Sequence, residues 1–236
     1  MPCKHCGSSD GVGMYSNGIG KCFVCGKVTV EKDRETDMPE PKTPVATETL
    51  ETIESYDTRG VQERGITKQV AMHYGMKVSY NMDGTIEAHY YPYTVKGKTT
   101  AFKIRELPKA FKVKGNFSDI ELFGQSSFNR GGKTLTITEG ELDAMAVAQA
   151  NLSQSGKIYP VVSLPSSSNL NPLIANREWV RSFDTVVLMF DQDEAGEKAI
   201  DKAAKIIGWD KVKVAHLPEN DPCETLIKHG HSAIIS

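Results

Sequence analysis

The sequence of 236 residues has no long apolar run and almost no net charge. No stretch reaches the roughly 18 consecutive apolar residues of a membrane-spanning helix, so we expect no membrane partner. The N-terminal residues 1–6 lack the apolar core of a secretory signal, which predicts a cytoplasmic protein. A formal net charge of −2 excludes a generally basic protein that coats nucleic acid. Any surface that binds nucleic acid must therefore be local.

Cysteine is scarce, and its positions are uneven. Four of the five cysteines form two Cys-x-x-Cys pairs, with 15 residues between the pairs. This spacing is typical of a tetrahedral structural zinc site. The predicted ligands of one zinc ion are Cys3, Cys6, Cys22 and Cys25. The alternative is a redox pair or two chance pairs, and Cys223 is expected to be a plain buried thiol.

Composition divides the chain into four segments. Residues 1–30 are too few to build a hydrophobic core, so we expect a small β zinc ribbon that folds with its metal. Residues 31–50 alternate acidic residues with prolines and have few apolar side chains, which predicts a flexible linker. Residues 51–133 are expected to form a mixed α+β basic subdomain, and residues 134–236 an α/β subdomain with a parallel sheet.

The segment 51–133 has a local excess of positive charge. A short helix is predicted at 67–75, with strands at 76–81, 86–93, 99–105 and 110–114. Nine basic residues between 94 and 133 face only three acidic ones. The nine are Lys96, Lys98, Lys103, Arg105, Lys109, Lys112, Lys114, Arg130 and Lys133. A charge run is more often a solvated face, but this excess is one-sided, and we interpret it as a phosphate-facing surface.

The last hundred residues alternate apolar strands with amphipathic helices. Strands are predicted at 134–138, 159–164, 185–190 and 211–217, and helices at Glu141–Asn151, near 173–182 and at Glu194–Ile207. Buried strands that alternate with amphipathic helices predict a parallel sheet covered by helices. The expected fold class of this segment is therefore α/β.

Three acidic residues stand where predicted strands end. Glu139 follows strand 134–138, and Asp191 and Asp193 follow strand 185–190. The carboxyl ends of parallel strands are where open α/β sheets bind their ligands. Clustered carboxylate oxygens suit Mg²⁺, which typically serves phosphate chemistry. A helix cap would explain only one of the two aspartates.

Two more acidic residues follow Glu139 closely. Asp143 is four residues further on, so one helical turn brings both carboxylates towards the same site. Glu141 is expected to point elsewhere, into solvent or towards the helix N-terminus.

These motifs resemble a known family. The sequences TEGELD at 138–143 and FDQDEAG at 190–196 are similar to the TOPRIM domain shared by DnaG-type primases, topoisomerases and some nucleases. The sequences AFKIR at 101–105 and LFGQ at 122–125 resemble the basic subdomain of phage primases. With the four-cysteine ribbon, nearly the whole chain resembles the primase half of bacteriophage primase-helicases of the T-seven type.

The resemblance implies a DNA primase that makes short RNA primers on single-stranded DNA for lagging-strand replication. Its implied catalytic acids are Glu139, Asp143, Asp191, Asp193 and Asp221. Glu139, Asp191 and Asp193 would hold one or two catalytic Mg²⁺ ions. Asp221 equally fits a helix N-cap, because proline at the next position suits the first helical residue.

The resemblance also implies contacts with nucleotide and template. Lys103 and Arg105 are two apart on a predicted strand and would share a face that holds triphosphate or template. Lys112, Lys114, Arg130 and Lys133 are candidates for the same groove.

In this family the ribbon reads a template trinucleotide. Related phage primases carry Asp and His in the ribbon turn, where this chain has Ser16–Lys21. Asn17 and Lys21 are therefore the expected template contacts. Because the turn differs, we do not expect this chain to share the family's trinucleotide preference.

The implied partners are single-stranded DNA, ribonucleoside triphosphates, a DNA polymerase and a replicative helicase. The helicase is expected either as a C-terminal fusion in a longer protein or as a separate one, in the cytoplasm of a host cell. Two alternatives stay open: a TOPRIM nuclease with the same metals, and a RecR-like recombination mediator. Mediators place zinc immediately before the TOPRIM region, whereas about a hundred residues intervene here.

Overall fold

A computed structural model describes the chain in six segments. They are residues 3–7, 12–14, 19–22, 25, 27–30 and 48–235. The chain divides into two compact units, Met1–Thr47 and Glu48–Ser236. Most of the linker predicted over 31–50 lies outside the described residues.

The first unit contains a three-stranded antiparallel sheet. Its strands are β1 (Val12–Met14), β2 (Ile19–Cys22) and β3 (Val28–Val30), in the order β1-β2-β3. The Gly7 N–H donates to the Cys3 carbonyl at 3.0 Å, and Gly7 has a φ of 69°, which glycine adopts without strain. The chain thus turns tightly after the first cysteine pair, as expected for a ribbon.

The second unit begins with an antiparallel sheet. Its strands are β4 (Lys77–Tyr80), β5 (Ile86–Val95), β6 (Lys98–Glu106) and β7 (Ala110–Gly115), in sequence order. Helices α1 (Leu50–Glu54) and α2 (Lys68–His73) precede it. Because side chains alternate along a strand, Tyr91 and Tyr93 enter one core, while Ala88 and Tyr90 enter another with Ile53. The predicted strands are confirmed to within two residues at each end.

The second sheet is parallel. Strands β8 (Gly132–Thr138), β9 (Val161–Ser163), β10 (Phe183–Met189) and β11 (Val212–Val214) lie in the order β11-β10-β8-β9. The helices between and after them are α3 (Glu141–Ser155), α4 (Asn171–Ala175), α5 (Arg177–Val180), α6 (Glu194–Ile207), α7 (Pro222–His229) and α8 (Ser232–Ile235). Buried residues of α3, α7 and α8 share one core, and those of α4, α5 and α6 share the other. The predicted α/β fold class is confirmed.

Two helices differ from their predicted bounds. The helix predicted near 173–182 is divided at Asn176, whose side chain donates to the Ile120 and Pro172 carbonyls and accepts from Gln125. Helix α3 continues to Ser155, beyond the predicted end at Asn151, and is closed by the left-handed Gly156.

Helix α3 is the central element of the second unit. Residues 144–148 of this helix are all buried, because it packs against the antiparallel sheet, the parallel sheet and α7. A helix buried on all sides carries little amphipathic signal. Within the described residues, none of the helices is both long and apolar enough to span a membrane.

Candidate active site

The two acidic motifs leave neighbouring strands at the same edge of the parallel sheet. Strands β8 and β10 pair in register, with Thr138 opposite Met189, so Glu139 and Asp191 follow closely matched positions. Glu139, Asp143 and Asp191 line one cavity of about 570 Å³. The structure therefore brings together three of the acids predicted for the site.

The acids of this cavity repel one another. Burial, reinforced by Glu139, Asp221 and Asp193, raises the pKa of Asp191 to about 7 from an ordinary value of 3.8. Burial, together with Asp221 and Asp191, raises the pKa of Asp143 to about 8. The negative charge of Asp221 therefore acts on both carboxylates, so the acids at this sheet edge form one cluster.

Two carboxylate oxygens of this cluster have no donor. Glu139 Oε2 and Asp191 Oδ1 are buried, and neither accepts a hydrogen bond from any described residue. Buried acceptors without a partner are costly unless a ligand satisfies them. A set of carboxylate oxygens with excess negative charge fits Mg²⁺ better than a transition metal, since Mg²⁺ prefers hard oxygen ligands. The residues present thus fit a magnesium site.

Asp193 and Asp221 both cap helices. Asp193 Oδ1 accepts from the Gly196 N–H at 2.8 Å at the start of α6, and Asp221 Oδ1 accepts from the Glu224 N–H at 2.6 Å at the start of α7. Both also raise the pKa of Asp191, so capping does not remove them from the acidic site. Magnesium ligation by Asp193 and a catalytic role for Asp221 stay predictions.

Gly196 permits the close approach of α6 to Asp191. A Cβ atom at Gly196 would lie 1.9 Å from the Asp191 carbonyl oxygen. Any larger residue would push the helix away from the strand end. The glycine of the motif at 190–196 therefore has a steric role beside the acids.

The expectation that Glu141 points into solvent or serves the helix terminus is wrong. Glu141 is buried and accepts from the Tyr93 hydroxyl at 2.6 Å. Lys103 Nζ donates to its two carboxylate oxygens at 2.9 and 3.0 Å, and to the Pro165 carbonyl at 2.6 Å. The first turn of α3 faces the antiparallel sheet rather than water, and this packing was not readable from the local sequence.

Replacing Lys103 with methionine is expected to lower the free energy of unfolding by about 3 kcal/mol, because Glu141 would remain buried without its cation. The Lys103 side chain is 15% exposed and that of Glu141 is 5% exposed. Urea unfolding followed by the fluorescence of Trp179 and Trp209, the only tryptophans of the chain, reports on the second unit.

The matched control is Lys112→Met. Lys112 pairs with Glu106 on the surface, with side chains 64% and 37% exposed. This replacement is expected to change the free energy of unfolding by less than about 1 kcal/mol. Equal losses in the two variants would contradict a structural role for the buried pair.

The basic residues predicted to bind nucleotide are only partly gathered at the cavity. Lys103, Arg105 and Lys112 line it, whereas Lys114 does not. Arg105 Nε is buried without a hydrogen-bond partner in the described part of the chain. The phosphate contact predicted for Lys103 would compete with Glu141 for the same ammonium group.

The structure also changes which of the other basic residues are candidates for phosphate binding. Lys133 stands at the start of β8, at the opposite end of the strand from Glu139, and lines a different cavity. Lys109 was counted among the nine basic residues but was not selected. It lines the acidic cavity and lowers the pKa of Asp191, because the hairpin between β6 and β7 carries it there.

The four paired cysteines form a second candidate metal centre. Their sulfur atoms all lie within 4.8 Å of one another, with Cys3 to Cys25 and Cys6 to Cys22 each at 3.7 Å. Tetrahedral zinc with Zn–S bonds of about 2.3 Å separates its sulfurs by roughly 3.8 Å, so the four thiols fit this metal.

The thiol of Cys3, the first cysteine, loses its proton more readily than an ordinary cysteine. The His5 backbone N–H is the main cause that lowers the pKa of the Cys3 thiol to about 6, and metals bind thiolates.

The two ribbon residues predicted to contact the template are not placed by the structure. Asn17 lies outside the described residues. For Lys21 only the backbone, in β2, is described.

Comparison with known proteins agrees with these features. Residues 136–226 match a family described as Toprim-like. The DNA helicase/primase of Enterobacteria phage T3 is 33% identical over 99% of this chain, but the chain spans only 42% of that protein. The chain thus corresponds to less than half of this curated relative.

Two solved structures are similar over most of the chain. The primase fragment of the bacteriophage T7 primase-helicase is 33% identical, with a TM-score of 0.69, and the match covers 99% of this chain and 96% of that one. A chain in the structure of bacteriophage T7 lagging-strand DNA polymerase interacting with primase domains is also 33% identical. Its TM-score is 0.66, and the match covers 76% of this chain and 89% of that chain.

Proposed function

This chain belongs to the family of bacteriophage primase-helicases, in their primase part, and we propose that it is a DNA primase that joins ribonucleotides on a single-stranded DNA template. One observation carries the proposal. Glu139, Asp143 and Asp191 share a cavity with Arg105 and Lys109, so carboxylates suited to metal binding face cations suited to phosphates.

The residues of this cavity would divide the work of nucleotidyl transfer. Glu139, Asp191 and Asp193 would hold Mg²⁺, which would supply activation of the primer 3′ hydroxyl and stabilisation of the pyrophosphate leaving group. Arg105 and Lys109 would bind and orient the phosphates of the incoming nucleotide. The buried pair of Lys103 and Glu141 would hold the antiparallel sheet against α3, and so keep cations and acids on opposite sides of the cavity.

We propose that one structural zinc ion, bound by the four cysteines, folds the ribbon for template reading. The cysteine geometry and the family support the zinc ion. Asn17 and Lys21 are the proposed template contacts, and the number of catalytic Mg²⁺ ions is proposed as one or two.

The relatives suggest two protein partners. Since the phage T3 relative is a helicase/primase, a replicative helicase is a proposed partner, fused or separate. The T7 polymerase structure that contains primase domains supports a DNA polymerase as the second. The relatives are primases, which favours polymerisation over the nuclease and mediator alternatives.

The test is incorporation of labelled ribonucleotides on a library of single-stranded DNA templates with Mg²⁺. Short RNA products from a subset of triplets are expected. Cleaved templates without synthesis would instead identify a nuclease. Templates that are bound, intact and not copied would identify a mediator.

Without Mg²⁺, the contribution of Asp191 and Asp143 to the stability of the second unit is expected to fall as the pH rises from about 4 to about 8. Folding raises the pKa values of Asp191 and Asp143 to about 7 and about 8. Below their ordinary pKa, both the folded and the unfolded chain keep these protons. As the pH rises towards the folded values, the unfolded chain releases them first, and this favours unfolding. Adding Mg²⁺ at pH 8 is expected to restore stability. Both effects are measured as urea midpoints from tryptophan fluorescence. An unfolding midpoint at pH 8 that does not change when Mg²⁺ is added would contradict Mg²⁺ binding at the acidic site.

A further inference from the structure

Gln192, the residue between the two aspartates of the motif, is bonded to a distant segment. Its side-chain Nε2 donates to the Leu217 carbonyl at 2.6 Å and to the Glu219 carbonyl at 2.5 Å. Its Oε1 accepts from the Leu217 N–H at 3.3 Å, and its backbone N–H donates to the Asn220 carbonyl at 2.8 Å. One residue therefore makes four hydrogen bonds to residues 217–220.

The segment 217–220 leads directly into Asp221. Asp221 caps α7, which packs against α3, the helix that carries Asp143. The bond from the Gln192 N–H to the Asn220 carbonyl joins the residue next to Asp191 to the residue next to Asp221. The negative carboxylates of Asp143, Asp191 and Asp221 repel one another. Together with the packing of α7 on α3, the bonds of Gln192 hold this segment beside the end of β10 against that repulsion.

The amide group suits this position better than other side chains of similar length. At one end of one side chain, its nitrogen donates to two carbonyls and its oxygen accepts from the Leu217 N–H. Glutamate would present oxygen to both carbonyls, and methionine would offer no strong donor or acceptor. This pattern of partners also fixes which end of the amide is nitrogen.

We propose that Gln192 is a positioning residue that holds Asp221 beside Asp143 and Asp191 and thereby completes the divalent-cation site. The inference rests on the proposed function for the identity of the acidic site. Gln192 itself need not touch substrate or metal. Replacing a residue that holds metal ligands in place without touching the metal typically weakens metal affinity about 10- to 100-fold, and we expect an effect of this size for Gln192.

The test measures binding of Mn²⁺ to the full 236-residue chain by electron paramagnetic resonance, with Mg²⁺ as competitor. The variants are Gln192→Met, Asp221→Asn and the double variant, and Asp191→Asn identifies the signal from the acidic site. Gln154→Met is the matched control, since Gln154 is an exposed glutamine on α3. Gln192→Asn, whose amide is too short to make the same bonds, serves as the second variant.

Gln192→Met and Gln192→Asn are each expected to weaken Mn²⁺ binding at least about 10-fold, and Gln154→Met to leave it unchanged. In the Asp221→Asn background, Gln192→Met should add less than about 2-fold, since both replacements act on one group. Additive losses, or affinities within about 2-fold of the wild-type chain, would overturn the proposal.

The binding assay contains neither template nor nucleotide. If the wild-type chain binds Mn²⁺ and Gln192→Met weakens it, but no RNA is made, then the proposed primase function fails and the role of Gln192 stands. If RNA is made normally and Gln192→Met binds Mn²⁺ as tightly as the wild type, the role of Gln192 fails alone. If Gln192→Met acted only by destabilising the fold, it would lower the melting temperature, and its effect on Mn²⁺ binding would be the same with and without Asp221→Asn.

Discussion

Asp191→Asn is expected to reduce RNA synthesis on the order of 1000-fold or more and, in the same protein, to stabilise the metal-free fold at pH 8. Asparagine keeps the shape of aspartate but removes the negative charge that would hold Mg²⁺. Without Mg²⁺, the negative charge that develops on the transferred phosphate and the leaving group would not be neutralised. Asp191 Oδ1 is buried and has no donor among the residues that the structure describes, so the ionised carboxylate is held at a cost in the absence of metal.

The sign of the stability change depends on pH. Because folding raises the pKa of Asp191 to about 7, the carboxylate is charged and destabilising at pH 8 but mostly neutral at pH 5. The asparagine variant should therefore gain stability over the wild type at pH 8 and lose most of this advantage at pH 5. Urea unfolding at both values, with nucleotide incorporation measured alongside, tests the pair of effects.

Asp184→Asn is the matched control for this variant. Asp184 lies on the same strand, β10, near the end away from the acidic cavity, and it is exposed. It should change neither synthesis nor the pH dependence of unfolding. Normal synthesis by Asp191→Asn would remove Asp191 from the catalytic site, and lower stability of that variant at pH 8 would refute the repulsion argument.

Cys22→Ser is expected to remove zinc from the protein and, with it, template-directed synthesis. Zinc binding contributes about 10–16 kcal/mol to the folding of comparable zinc modules, far more than a ribbon of this size gains from burial. Cys22 is buried in a cluster whose sulfurs lie within 4.8 Å of one another, so the hydroxyl of serine cannot replace it. The melting transition of the second unit, read from its tryptophans, should stay unchanged.

Zinc content per chain and template-dependent synthesis are the two measurements. His5→Gln is the control, since His5 is an exposed residue between the first two cysteines and is the nearest alternative zinc ligand in sequence. It should retain one zinc ion. Full zinc content in Cys22→Ser, or its loss in His5→Gln, would show that the ligand set is not four cysteines.

Local sequence was sufficient for the strands that carry the acids. Strands β8 and β10 end at Thr138 and Met189, within one residue of their predicted ends, because β-branched and apolar side chains suited to a buried strand continue to the sheet edge, where the acidic residues follow. It was also sufficient for the cysteine cluster, since metal ligation constrains spacing within a short segment. These features depend on neighbours in sequence.

Contacts between distant segments were not predictable in the same way. Glu141 was expected in solvent, and its burial follows from the packing of α3 on β5 and β6, which places Tyr93 and Lys103 beside it. The division of the helix near 173–182 depends on contacts of Asn176 with residues more than 50 positions away. Helix propensity contains no information about such partners.

The sequence by itself indicated the type of each part: a small β ribbon with four clustered cysteines, a basic mixed α+β segment, and a parallel sheet with acids at its carboxyl edge. Only the tertiary structure decided which charges meet. It pairs Lys103 with Glu141, brings Lys109 to Asp191, and binds Gln192 to the segment before Asp221. The physical reason is range: propensity and periodicity act over a few residues, whereas burial and charge pairing depend on how separate elements pack.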